Sequence, residues 1–314
     1  MAFKMSVQKA KGKVEEVQLG SGDNAITIGG EATLPFYDFD GETGSKAKLG
    51  MEILDIYPED WVKPLKETYK DVAEDPAKWA KFVEEEFNPD FICLRLEGAD
   101  PNGLDKSPEE CAEVCKSVAE AINTPLVIAG TNNHEKDKEV FEKVAQAVDG
   151  YNCLFLSATE ENYKGVGAAA SMAYSHKVGA ESSVDINLAK QLNVLLGQLG
   201  VDYGDIVMNV GNAAAGYGFE YLVSTIDRIR LALFNQNDKT LTMPIITPVS
   251  FETWTVKESM APEEEVPEWG SREQRGISME VSTATSILSV GSDAVVLRHP
   301  KSLETLKELV DALE

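Results

Sequence analysis

The chain has 314 residues, of which 43% are hydrophobic and 26% charged, and its formal net charge is −24. That length holds one large domain or two ordinary ones, and the composition excludes global disorder. So acidic a chain is repelled by nucleic-acid phosphates and anionic lipid, so neither nucleic acid nor membrane is an expected partner.

No apolar run reaches the roughly eighteen residues that span a bilayer. The start, MAFKMSVQKAKGKVEEVQ, carries lysines but no apolar segment of a signal peptide, so a cytoplasmic location is expected. In chain order, strands are expected at Ala25–Gly29, Met51–Ile56, Phe91–Leu96, Leu126–Ala129, Cys153–Ser157, Asp205–Asn209, Pro244–Thr247 and Ala294–Leu297, with a weaker one between Ser171 and Val184. Helices are expected at Pro76–Glu86, Pro108–Ile122, Lys136–Val148, Asn162–Met172, Ile186–Leu199, Phe219–Phe234, Arg272–Val290 and Leu303–Leu313. Asp75 and Ser107 precede helix-opening prolines and are expected N-caps; Asp185 caps the helix at 186, and Gly200 ends it.

Repeated β-then-α units imply a parallel sheet covered by helices, and their number favours a closed (β/α)8 TIM barrel of the α/β class. The count runs one strand over. The surplus is the N-terminal VQLGSGDNAITIGG, expected as a hairpin outside or beneath the barrel. The domain reading is an N-terminal extension at 1–24 and a single barrel domain at 25–314. Residues 257–273, KESMAPEEEVPEWGSRE, interrupt the rhythm as a long acidic loop, read equally as functional or mobile and as merely solvated.

Few motifs promise catalysis. There is no GxSxG, no GxxxxGK[ST] and no HExxH, and GSG at 20–22 is too little of a GxGxxG. Cys93, Cys111, Cys115 and Cys153 form no CxxC pair and are read as buried small hydrophobes, with a metal site the minor alternative. Functional groups in a barrel gather at the C-terminal strand ends. Those ends carry Asn132, Asn133, His134, Glu160, Asn162, His176, Asp185, Asn209, Asn212, Tyr217, Glu252, Arg298 and His299, a rim rich in amides. Most of its asparagines also suit helix caps and turns.

The stretch DIVMNVGNAAAGYGFEY (205–221) strips away its side chains just where a strand gives way to a helix. Gly and Ala there permit close approach of a backbone or a flat ligand, and they equally suit a tight turn.

Several separated blocks resemble one family: GGEATLPFYDFDG (29–41), EILDIYPEDW (52–61), PLVIAGTNNHEKDKEV (125–140), ENYKGVGAAASMAYSHKV (161–178), DINLAKQLNVLL (185–196), GYGFEYLVSTIDRIRLAL (216–233) and RHP (298–300). They are similar to the small subunit of the corrinoid iron–sulfur protein, the delta-type subunit of acetyl-CoA decarbonylase/synthase, in the anaerobic acetyl-CoA pathway. The resemblance covers nearly the whole chain. It implies a TIM barrel paired with a larger subunit that carries a [4Fe–4S] cluster and most of a cobamide site. The barrel then closes over one face of the corrin, as a non-catalytic subunit of a methyl carrier. Its implied partners are that large subunit, a methyltetrahydrofolate:corrinoid methyltransferase and acetyl-CoA synthase.

A flat macrocycle edged with amides suits a bare floor and an amide rim, so the expected cofactor contacts, taken from strand-end position, are Asn132, His176, Asn209, Asn212, Ala213, Ala214, Ala215, Gly216, Tyr217 and Arg298. The rival expectation is a stand-alone pterin-dependent TIM-barrel methyltransferase, which needs an Asp/Asn pocket for which Asp55, Asn132 and Asn209 are eligible.

Overall fold

A computed structural model describes residues 6–312 apart from 39 and 132. Eight parallel strands form one sheet: β3 (Lys48–Leu54), β4 (Phe91–Arg95), β5 (Leu126–Ala129), β6 (Leu154–Ala158), β7 (Lys177–Glu181), β8 (Ile206–Asn209), β9 (Ile246–Thr247) and β10 (Ala294–Leu297). Neighbours follow chain order, and β10 lies between β9 and β3. The ring closes between β8 and β9, where Met208 bridges Ile245 and its N–H donates to the Pro244 carbonyl at 2.8 Å. The expected TIM barrel is therefore present. The weak segment between 171 and 184 supplies β7, a full member of it.

Strand side chains divide by period two. In β4, Phe91 and Cys93 face the barrel interior, while Ile92 and Leu94 pack outward against the helices. The interior set continues with Val127, Leu154, Val207, Ile246 and Val296.

The surplus N-terminal segment is an antiparallel hairpin, β1 (Glu16–Leu19) with β2 (Ile26–Gly29). The expected boundary between 24 and 25 falls in its turn. Val17, Leu19 and Ile28 join the interior apolar cluster, so the hairpin stops the bottom of the barrel. Asn152, just before β6, clasps it by donating from Nδ2 to the carbonyls of Gln18 and Gly20, each at 2.9 Å.

The helices of the outer ring are α1 (Lys63–Tyr69), α2 (Pro76–Phe87), α3 (Pro108–Ala121), α4 (His134–Ala147), α5 (Tyr163–Gly167, continued to Ala173 as a π-helix), α6 (Ile186–Leu199), α7 (Phe219–Gln236), α8 (Ser250–Thr253), α9 (Lys257–Met260), α10 (Arg272–Ser289) and α11 (Pro300–Ala312). The short α1, α8 and α9 were not expected, and the Leu313 end of the last predicted helix lies outside the described residues. Asp75 caps α2, and Ser107 makes a reciprocal capping box with Glu110 at α3. Asp185 accepts from the N–H groups of Asn187 and Leu188 at 2.7 and 3.3 Å, and Gly200 takes the left-handed conformation after α6. Asp185→Ala is expected to lower stability by about 1 kcal/mol. Urea unfolding checks this, and an unchanged midpoint would mean that tertiary packing alone holds the start of α6.

Candidate functional site at the barrel mouth

The barrel interior turns from apolar to polar toward the C-terminal strand ends. Glu52 of β3 is wholly buried and meets Arg298, which follows β10, with Nε to Oε2 at 2.9 Å and a second guanidinium nitrogen to Oε1 at 3.1 Å. Arg95 of β4 stands 3.7 Å from the same carboxylate. Burial alone would raise the Glu52 carboxyl, but the two guanidinium groups outweigh it and hold it below its ordinary value. Each guanidinium also lies over a ring, Arg298 over Trp61 at 4.5 Å and Arg95 over Phe251 at 4.7 Å. Arg298 thus reaches the expected strand end, but its charge is spent within the barrel.

Beside this cluster the mouth holds a cavity of about 270 Å3. Asn209, at the end of β8, is the organising side chain. Its Nδ2 donates to Ser157 Oγ at 3.0 Å and reaches Glu181 Oε2 at 3.5 Å, while its Oδ1 accepts from the Gly211 N–H at 3.1 Å. The β6–β7 register shifts between Phe155 and Ala158, so Leu156 and Ser157 both line the cavity. Burial pushes the Glu181 carboxyl above its ordinary value, against the opposing pull of the Ser157 hydroxyl. Asn212 lines the wall, and its carbonyl oxygen is buried without a hydrogen-bond partner. An orphaned acceptor costs roughly 1–3 kcal/mol, so such atoms in native proteins call for an explanation.

The stretch after β8 proves to be a turn of small residues. The Tyr217 N–H donates to the Ala214 carbonyl at 2.9 Å, and Gly216 and Gly218 take φ of +89° and +79°, where a side chain would be strained. Ala213 packs on the core, and the Ala215 N–H donates to Thr283 Oγ1 of α10 at 3.1 Å. Gly216 and Tyr217 are exposed, and the Tyr217 hydroxyl donates to Glu258 Oε2 at 2.7 Å. One part of the expected floor needs correction: Ala214 is 1% exposed, so its methyl group fills core space and presents nothing to a ligand.

The structure separates two other expected residues from this group. His176 sits at the opposite end of the barrel, just before β7, and is wholly buried. Its Nδ1 accepts from the Cys153 N–H at 3.2 Å and its Nε2 donates to the Ala145 carbonyl at 3.0 Å, which fixes a neutral structural imidazole. Burial lowers its pKa accordingly. Asn132 lies outside the described residues. Asp55 is not free for a pterin pocket either. Its Oδ1 accepts from the Gly98 N–H at 2.8 Å and its Oδ2 pairs with Lys106 at 3.1 Å.

Sequence reasoning missed Glu181 and Ser157, because the segment holding β7 was ambiguous and the register shift in β6 leaves no sequence mark. The 257–273 loop is anchored: Arg275 donates to the Glu258 and Ala261 carbonyls, each at 2.7 Å, and lies over Trp269. All four cysteines are buried and free of disulfides. Burial raises the Cys111 thiol to about 11 and also raises those of Cys93, Cys115 and Cys153. Among the described residues no group of three or more His, Cys, Asp or Glu side chains is placed to hold a metal ion.

A family profile described as "CO dehydrogenase/acetyl-CoA synthase delta subunit" matches residues 16–310. The chain belongs to this family. Among delta-subunit relatives, "Acetyl-CoA decarbonylase/synthase complex subunit delta 1" of Methanosarcina thermophila is 34% identical over 298 residues, covering 94% of this chain and 67% of its own length. The delta subunit of Methanocaldococcus jannaschii is 34% identical over 315 residues, covering 96% of this chain and 75% of its own. Both relatives extend beyond the shared region. The delta-family barrel also resembles dihydropteroate synthases in fold. That of Xanthomonas albilineans with 4-aminobenzoic acid superimposes with a TM-score of 0.57 at 10% identity, over 95% of this chain and 98% of its own. That of Thermus thermophilus gives 0.51 at 15% identity, over 95% and 100%. At such identities the likeness concerns the barrel alone.

Proposed function

We propose that this delta-family chain is the barrel subunit of a two-subunit corrinoid methyl carrier, and that its mouth covers one face of a cobamide held mainly by a larger partner. The observation that carries this reading is the delta-subunit match across residues 16–310. The relatives are named as subunits of an acetyl-CoA decarbonylase/synthase complex, which supports a role within an assembly for this chain too.

The mouth residues suit such a ligand. Asn212 brings an unpartnered acceptor, Tyr217 an exposed aromatic edge, and Gly216 a stretch of bare backbone open to solvent. A corrin is flat and edged with carboxamides, which donate to and accept from such groups. When bound, the cobamide supplies the chemistry, accepting and releasing a methyl group at cobalt. This chain then shields, orients and presents that centre, and needs no nucleophile or general base of its own. The methyl donor enters through a separate methyltetrahydrofolate:corrinoid methyltransferase, and acetyl-CoA synthase receives the methyl group. The large subunit holds the [4Fe–4S] cluster. No helix among the described residues is long and apolar enough to cross a membrane, and a cytoplasmic site is part of the same proposal.

Cobalt and iron analysis with a visible spectrum tests the reading on native co-purified material and on the chain expressed alone. Cobalt and iron are expected with a larger partner, and neither on the isolated chain. A colourless, metal-free native preparation lacking that partner would overturn it. Within the complex, Tyr217→Ala is expected to lower retained cobalt severalfold; unchanged retention would remove the 212–217 turn from the cofactor contacts.

A further inference from the structure

A larger cavity, of about 650 Å3, opens at the N-terminal end of the strands, the end opposite the mouth. That volume lies within the range of about 300–1,000 Å3 usual for small-molecule sites. The segment between β2 and β3 forms one wall, with Leu34 and Phe36, and the ends of α7, α10 and α11 form the other, with Phe234, Leu288, Leu309 and Val310. Phe36 takes a φ of +66°, a costly conformation for a bulky side chain, and stays 54% exposed beside the cavity.

The polar groups of the cavity meet at Glu31, which is 8% exposed. The Arg230 guanidinium stands 3.0 Å from Glu31 Oε1, but its hydrogens are committed elsewhere: Nε and Nη2 donate to the Gly291 carbonyl, Nη2 also to Asp293, and Nη1 reaches the Met243 carbonyl at 3.4 Å. Glu31 Oε1 is therefore buried without a hydrogen-bond donor. Toward solvent, Lys46 pairs with Asp311 of α11, and Asp38 is exposed. Among the described residues, Glu31, Asp38, Asp293 and Asp311 thus outnumber Lys46 and Arg230 around the cavity.

Excess carboxylate inside an apolar wall selects for a cation and against an anion. Among the described residues no group of three ligating side chains is placed to hold a metal ion, so the fitting cation is organic. An ammonium on an apolar body brings three N–H donors to the orphaned acceptor and covers the hydrophobic wall. We infer that this bottom cavity binds an organic monocation, a primary ammonium that donates to Glu31 while its apolar body lies between Phe36 and Leu288.

Binding then exchanges a proton for the ligand. Burial first, and Asp293 second, push the Glu31 carboxyl up to about 8, so at pH 7 it holds a proton that the ammonium displaces to the buffer. Affinity accordingly rises with pH from 6 to 8, by up to about tenfold per pH unit.

The test is calorimetric titration of the full chain with 2-phenylethylamine, its neutral analogue 2-phenylethanol and the anion 3-phenylpropionate, at pH 7 in two buffers of different ionisation enthalpy. The amine is expected to bind one to one and to release about one proton. The alcohol is expected to bind at least tenfold more weakly, and the anion more weakly still. Glu31→Gln is expected to weaken the amine tenfold or more and to abolish the proton release, with thermal melts confirming that the variant folds. No amine binding, equal binding of the alcohol, binding without proton release, or an undiminished affinity in Glu31→Gln would overturn the assignment. So would uptake of several amines per chain that Glu31→Gln leaves unchanged, the signature of diffuse attraction to an acidic surface. The titration involves no corrinoid and no partner, so its failure leaves the methyl-carrier reading standing, and the reverse holds as well.

Discussion

Arg298→Met is expected to lower the unfolding free energy by about 3–5 kcal/mol, the range for removing one partner of a buried ion pair. The variant leaves Glu52, 0% exposed, with Arg95 at 3.7 Å as the remaining guanidinium in place of a two-point contact at 2.9 and 3.1 Å. The penalty is that of an undercompensated buried carboxylate, more than the loss of the pair's own attraction. Adding Glu52→Gln removes that charge and should restore much of the loss, a non-additivity expected of residues in direct contact. Urea unfolding of the two single variants and the double variant measures it. Strict additivity would show that the pair does not hold the top of the barrel together. The double variant also settles the expected role of Arg298 at the cofactor. If the restored fold keeps its cobalt in the native complex, Arg298 is structural, as its full engagement by Glu52 implies.

A loss of similar size is expected at the other end of the barrel from Arg230→Met. Arg230, on α7, is wholly buried and donates to the Gly291 carbonyl at 2.7 and 2.9 Å, while its guanidinium also meets Glu31 at 3.0 Å and Asp293. It thereby ties the exit of the bottom hairpin to the start of β10. Two carboxylates share this one cation. Burial first, and Asp293 second, push the Glu31 carboxyl up to about 8. A carboxyl raised in the native state binds its proton more tightly folded than unfolded. Its contribution therefore favours folding at low pH and is lost as pH rises from about 4.5 to about 8.

Stability should decline across that window by on the order of 2–4 kcal/mol from this group, and Glu31→Gln should flatten the decline. The same logic makes Arg230→Met more damaging at pH 8 than at pH 5, since a protonated Glu31 has less need of the cation. Urea midpoints at the two pH values check both statements. Equal losses at both would mean that Glu31 is already ionised in the native state.

Much of the architecture was legible before any coordinates. The caps at Asp75, Ser107 and Asp185 were readable because an N-cap depends on a side chain and the two or three residues that follow it. The alternation of apolar strands with amphipathic helices was readable for the same reason, and the N-terminal hairpin was anticipated as the surplus strand. Family membership was legible in blocks spread from 29 to 300, and the delta-subunit match bears it out. The mouth was less legible. Asn209 and Asn212 do line one cavity, Ala214 is core, His176 belongs to the far end, and Glu181 and Ser157 were not singled out.

The sequence by itself determined the order of strands and helices, the helix ends, the closed barrel and the family, because each rests on local periodicity, local capping or a linear pattern of residues. Only the tertiary structure decided which side chains share the mouth. That depends on the register between neighbouring strands, on the shift between Phe155 and Ala158 that turns Ser157 inward, and on the pairing of Glu52 with Arg298 across 246 positions of chain. A strand-end residue faces the mouth, the helices or the bottom plug according to one step of register, and no stretch of sequence records that step.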